Sequence, residues 1–194
     1  PYTHTEDTDM DMGNAILVNK YYHLASDYAP DDIVEMSNWY SYPGNRIREE
    51  VYNAFIEMFN AAKEDGITLI VNSSYRTHDE QEEIYNDYES SQGKAYADQY
   101  AARPDYSEHQ TGLALDIFTP GAGMANFEET DAFRWLQENS YKYGFILRYP
   151  EGKEDITGYN YEAWHYRFLG KDLAKKVYNS GLTYDEYYAY YLEK

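Results

Sequence analysis

Apolar residues at Ile47, Val51, Phe55, Met58 and Phe59 recur at helical spacing, and Gly66 follows the run. This pattern predicts an amphipathic helix with a glycine stop. The period then changes. Residues 67–73 form a short β-prone stretch that carries Ser73 to Arg76 at its C-terminal end. Residues 79–97 are polar and helix-rich, with Ile84, Tyr85 and Tyr88 as the expected inner face. Residues 113–118, 144–148 and 164–168 read as strands, and 127–143 and 171–179 as helices. A last helix is predicted over 184–192, capped by Thr183. Within 17–36, Pro30 with Asp31 and Asp32 after it predicts a loop leading into a short helix, with acidic residues at its positive end. Residues 1–13 are polar and acidic without a period and read as a flexible lead-in to one domain over 14–194. Helices and short strands without regular βαβ alternation indicate an α+β fold. No internal repeat interrupts it.

Composition narrows the function. The chain has 194 residues, 43% of them hydrophobic and 26% charged, which is enough to bury a sizeable core. A formal net charge of −19 repels phosphate backbones and anionic lipid, so nucleic-acid binding is not expected. Apolar runs such as residues 15–18 fall far short of a membrane span. The absence of cysteine excludes disulfides, thiolate ligands and a thiol nucleophile. The 25 tyrosines are unusual, and those near the C-terminus read as half-buried rings on an amphipathic helix rather than as a ligand platform.

Three constellations carry candidate chemistry. In Ser107-Glu108-His109-Gln110-Thr111-Gly112-Leu113-Ala114-Leu115-Asp116, a glycine turn leads into a strand that takes an acid into an apolar run. A desolvated Asp116 needs a cation, a metal or a donor network. A lone aspartate in a turn would need none of these. Glu162-Ala163-Trp164-His165 sets an acid and a histidine three residues apart at the start of a strand, where only a kink would bring them to one side. His109, Asp116 and His165 together match the open three-ligand zinc site of a hydrolase, with Glu162 as a base that is not a ligand. Ser73-Ser74-Tyr75-Arg76-Thr77-His78-Asp79-Glu80-Gln81 supplies Arg76, either as a fork for a developing oxyanion or as a surface ion pair.

Together, Tyr-Arg-x-x-x-x-Gln at residues 75–81, Ser-x-His-x-x-Gly-x-Ala-x-Asp at 107–116 and Glu-x-Trp-His at 162–165 resemble the VanY-type D-alanyl-D-alanine carboxypeptidases, zinc peptidases related to VanX and VanXY. The stretch 143–150 and Ile156-Thr157-Gly158 look similar to the same family. Leu17-Val18-Asn19-Lys20 and Asp27-Tyr28-Ala29-Pro30 look like the start of its Gram-positive members. The resemblance implies a VanX/hedgehog-like fold, with a small central antiparallel sheet flanked by helices and the zinc site at the sheet. It implies one zinc held by His109, Asp116 and His165, with Glu162 as general base and Arg76 as a catalytic and substrate-binding group. Gln81, Ser107 and Tyr75 match positions at the substrate. The implied reaction removes C-terminal D-Ala from peptidoglycan stem peptides or their precursors. The expected protein is a monomer placed outside the cell or at the wall of a Gram-positive bacterium. Ala163 stands where proline is common, and Ser74 where glycine is common.

Other readings keep part of this evidence. The same site could cleave an L,D bond in tetrapeptide stems. Two histidines and one carboxylate also serve non-haem iron oxygenases, although these have no need of Glu162. A non-catalytic wall-binding module with a closed metal site is the remaining class.

Overall fold

The computed structural model describes residues 2–194. Two small strand pairs come first: β1 (Glu6–Asp7) runs parallel to β2 (Tyr22–His23), and β3 (Ile33–Glu35) runs antiparallel to β4 (Arg46–Arg48). Helix α1 (Glu49–Glu64) and strand β5 (Ile70–Ser73) follow, then α2 (His78–Gln92) and α3 (Lys94–Tyr100). After them come β6 (Ala114–Phe118), α4 (Asp131–Asn139), β7 (Phe145–Tyr149), α5 (Glu154–Thr157), β8 (Glu162–Phe168), α6 (Lys171–Ser180) and α7 (Tyr184–Tyr187). The fold is mixed α+β. Its central sheet is antiparallel, in the order β5, β6, β8, β7.

The expected helical stripe on α1 is buried at Val51, Phe55, Met58, Phe59 and Ala62. It packs with Val71, Leu115, Ile117, Tyr166 and Phe168 of the sheet into one core. Strand β6 is buried at every position, so Asp116 is buried and faces the cavity rather than a solvated edge.

Several boundaries differ from the sequence pattern, each for a local reason. No short helix follows Pro30; the β-branched Ile33 and Val34 pair with β4, and Asp32 accepts from Arg48 Nε at 2.9 Å. The predicted helix over 79–97 breaks at Gly93, whose φ of 88° ends α2 and starts α3. Its inner face is Gln81 and Tyr85, whereas Tyr88 is exposed. The predicted helix over 127–143 is cut by Thr130, which caps α4 through Phe133 N, and ends in a 3₁₀ turn. Thr183 does cap the last helix, in a reciprocal capping box with Glu186. There Tyr184 and Tyr188 are buried, but Tyr190 and Tyr191 point to solvent. The segment before Asn14 lies against the domain: Thr8 Oγ1 donates to Leu17 O, and Tyr2 OH accepts from Arg103 N.

Gly144 joins the turn after α4 to β7 with φ of 94°, and a Cβ there would sit 2.7 Å from Phe168 Cε2. Left-handed backbone and overpacking both oppose a side chain at this position. Gly144→Ala is expected to lose roughly 2–4 kcal/mol, read as a lower urea midpoint with an unchanged slope.

Candidate functional site

The sheet register builds the site. Asp116 on β6 pairs directly with His165 on β8, so adjacent strands place the carboxylate beside the imidazole. His109 arrives from the 3₁₀ turn Glu108–Thr111, which Ser107 caps by accepting from His109 N at 3.2 Å. Gly112, at φ 67°, reverses that turn into β6. The kink needed at Glu162 is present: β7 and β8 shift register between Leu147 and Tyr149, where Leu147 pairs with Tyr166 but Tyr149 with Glu162. The bulge brings Glu162 Oε2 to 3.4 Å from His165 Nδ1.

Each imidazole is oriented from behind. His109 Nδ1 donates to Ser74 O at 2.8 Å, which turns Nε2 toward Asp116. His165 Nε2 donates to Glu108 Oε2 at 3.1 Å, which turns Nδ1 toward Asp116 and Glu162. Glu108 is itself held by Arg148 Nε at 2.6 Å and Arg167 Nη1 at 2.9 Å. Reading the sequence for chemistry missed Glu108, Arg148 and Arg167. The available signal was two arginines in strands at otherwise apolar positions. Ser74 earns its place by donating to Asn45 Oδ1 and accepting from Arg46 N, contacts a glycine cannot make.

Arg76 is held by its neighbours. Its Nη1 donates to Gln81 Oε1 at 3.0 Å and its Nη2 to Ser73 Oγ at 2.9 Å, leaving Nη2 3.8 Å from Asp116 Oδ2. Gln81 is fixed in turn by donating to Ala102 O at 2.8 Å. A cavity of about 450 Å³ opens onto Arg76, Gln81, Ser107, His109, Asp116, Glu162 and His165. Tyr149, Tyr159, Tyr161 and Trp164 form part of its wall, an aromatic lining the sequence pattern did not single out. Tyr75 is not part of that wall. Its ring lies over the Arg46 guanidinium, 5.3 Å away, as successive side chains of extended backbone point to opposite sides.

The donor set fits a small divalent cation. His109 Nε2 and His165 Nδ1 each face Asp116 Oδ1 from 3.4 Å. Ligands 2.0–2.1 Å from a tetrahedral zinc lie about 3.3 Å apart, so this spacing needs little adjustment. Among the described residues, Asp116 Oδ1 is the one buried side-chain nitrogen or oxygen without a hydrogen-bond partner. A buried oxygen so placed, facing two imidazole nitrogens, fits the role of a cation ligand. His78, Asp79 and Glu82 also approach one another, but they lie at the surface and His78 is engaged by Asp105 at 2.7 Å.

The protein groups alone set up opposed proton affinities. Burial pushes the Glu162 carboxyl up to about 7, despite the opposing pull of His165. Burial alone would lower His165, but the Asp116 and Glu108 carboxylates outweigh it and lift the ring to about 9. Burial and Arg76 lower His109. Glu108 stays well below the usual carboxylate range because Arg148 and Arg167 overcome its burial. An acid poised near neutrality in a cavity beside a metal-sized cluster is an arrangement for moving protons.

The VanY family model, described as D-alanyl-D-alanine carboxypeptidase, matches residues 44–171. A putative carboxypeptidase, YodJ, of Bacillus subtilis is 44% identical over 89% of this chain and 66% of its own length. A D-alanyl-D-alanine carboxypeptidase of Enterococcus faecalis is 39% identical over 95% of this chain and 69% of its own. The chain thus spans about two thirds of the length of these relatives. Among solved structures, the LdcB LD-carboxypeptidase superposes with a TM-score of 0.89 at 41% identity, covering 95% of this chain and 90% of that one. VanYB in complex with D-alanine-D-alanine gives 0.78 at 39%, covering 93% and 99%. A VanY mutant from a VanB-type resistance cassette, in complex with Zn(II), gives 0.77 at 39%, covering 90% and 98%. With its motifs, its sheet and its metal-sized donor cluster in agreement with these matches, the chain belongs to the VanY family of D-alanyl-D-alanine carboxypeptidases, which are zinc metallo-carboxypeptidases.

Proposed function

We propose that the chain removes the C-terminal D-Ala from peptidoglycan stem peptides or their precursors as a D,D-carboxypeptidase. His109, Asp116 and His165 would hold one zinc, with Glu162 as general base. The observation that carries this reading is the convergence of His109 Nε2, His165 Nδ1 and the orphaned Asp116 Oδ1, with Glu162 beside them in one cavity. Zinc bound there supplies a Lewis acid and makes water nucleophilic near neutral pH.

The protein's own groups do the rest. Glu162 takes the proton of the attacking water as the new C–O bond forms and the carbonyl becomes tetrahedral, then passes that proton to the D-Ala nitrogen as the adduct collapses and the C–N bond breaks. Arg76, pinned by Gln81 and Ser73, directs its guanidinium at the substrate carboxylate or at the carbonyl oxygen that gains charge. Ser107 holds the His109 turn and lines the cavity, and Gln81 acts on substrate through Arg76. Arg76→Lys keeps the charge but loses the planar fork, so kcat/KM should fall about 100-fold in steady-state release of D-Ala.

The protein would act as a monomer outside the cell or at a Gram-positive wall, where the stem peptide is found. No helix among the described residues is long and apolar enough to cross a membrane. Likeness to the LdcB LD-carboxypeptidase supports a second reading, release of D-Ala from a tetrapeptide stem. Mass spectrometry of separate pentapeptide and tetrapeptide incubations distinguishes them. Loss of one D-Ala from pentapeptide alone is the expected result. Loss from tetrapeptide moves the assignment to the L,D bond, and no loss from either overturns both.

A further inference from the structure

Behind His165 lies a set of buried charges that reaches the cavity at Glu108 and underlies its wall at Tyr149, whose ring is 4.9 Å from the Arg148 guanidinium. Glu108, Arg148 and Arg167 are all 1% exposed or less. Arg148 divides its guanidinium between two acids: Nε goes to Glu108, while Nη1 and Nη2 go to Asp185 on α7. Arg167 joins Glu108 through Nη1 and sends Nη2 to Asn14 O at 2.8 Å and Ile16 O at 2.7 Å. Asn19 Nδ2 closes the outer side by donating to Asp185 Oδ1 at 2.9 Å. Two acids and two guanidinium groups balance in this dry interior.

We propose that Glu108 is a positioning residue for the metal ligand His165, and that the two ends of the domain hold it in place through Arg148 and Arg167. This inference rests on the reading of His165 as a ligand. Asp185 and Asn14 to Asn19 lie outside the stretch that matches the family model, yet they set the aim of an imidazole inside it. The physical reason is geometric. A carboxylate aims one oxygen at His165 Nε2 in a fixed direction when its second oxygen is anchored, and Oε1 of Glu108 is anchored by both arginines. Removing Asp185 frees Arg148 to swing, and Glu108 loses one of its two anchors.

The test uses the whole chain. Zinc affinity is measured by chelator competition for wild type, Glu108→Gln and Asp185→Asn, and the Nε2–H proton of His165 is followed by NMR in the zinc-loaded proteins. Wild type that takes up no zinc defeats the ligand assignment itself, and the inference with it. With zinc bound to wild type, Glu108→Gln is expected to weaken affinity about 10- to 100-fold. Asp185→Asn should weaken it several-fold and move the Nε2–H resonance, although Asp185 touches no ligand. A purely structural role would lower the melting temperature and leave that resonance in place. If Glu108→Gln fails to fold, Asp185→Asn decides: unchanged affinity with an unmoved resonance overturns the inference.

Discussion

Glu162→Gln is expected to lower kcat by about 10²- to 10⁴-fold while the protein keeps its zinc. The amide matches the carboxylate in shape but cannot take a proton from water. Glu162 stands 3.4 Å from His165 Nδ1 but is not one of the mutually close donors, which are His109, Asp116 and His165. Metal binding should therefore survive the substitution. Parallel measurement of D-Ala release and zinc content separates the two roles. Loss of both together would make Glu162 a ligand and remove the base from the reaction.

Zinc itself should produce the largest change in stability. Asp116 Oδ1 is buried without a hydrogen-bond partner, with His109 Nε2 and His165 Nδ1 each 3.4 Å away, so a cation bound among them gains a desolvated anionic ligand. Metal at about 1,000 times its dissociation constant adds about 4 kcal/mol to the folded state. For a chain of this length that is roughly 10 °C in melting temperature. Calorimetry with and without zinc checks the shift. Asp116→Asn removes the negative oxygen and should abolish most of the gain. A zinc-induced shift as large in Asp116→Asn as in wild type would place the binding elsewhere, the surface cluster of His78, Asp79 and Glu82 being the obvious second location.

The groups that meet in the cavity could be read from the sequence because their chemistry is carried by residue types at short spacing. His109 and Asp116 flank one glycine turn and one strand, and Glu162 and His165 lie on one strand. Arg76 to Gln81 spans a strand end and the first turn of a helix. Local pattern is enough for these. It was not enough for the charges behind them. Glu108 meets Arg148 and Arg167 only through the register of β6, β7 and β8, and an arginine in a strand looks the same in sequence whether its head is solvated or buried. The same limit explains the segment after Pro30. Acids following a proline favour a helix start locally, but pairing with β4 and the Asp32–Arg48 contact decide for a strand. Tyr75, adjacent to Arg76 in sequence, lies outside the cavity wall and over Arg46, a placement that adjacency alone does not reveal.

Zinc K-edge X-ray absorption of the loaded protein tests the proposed metal centre most directly. The predicted spectrum shows one zinc per chain with two imidazole nitrogens, one carboxylate oxygen and one light atom that exchanges with solvent or inhibitor. It should be unchanged in Glu162→Gln and lost in His165→Ala. Four fixed protein ligands, or a full signal that survives His165→Ala, would contradict an open hydrolytic site built on His109, Asp116 and His165.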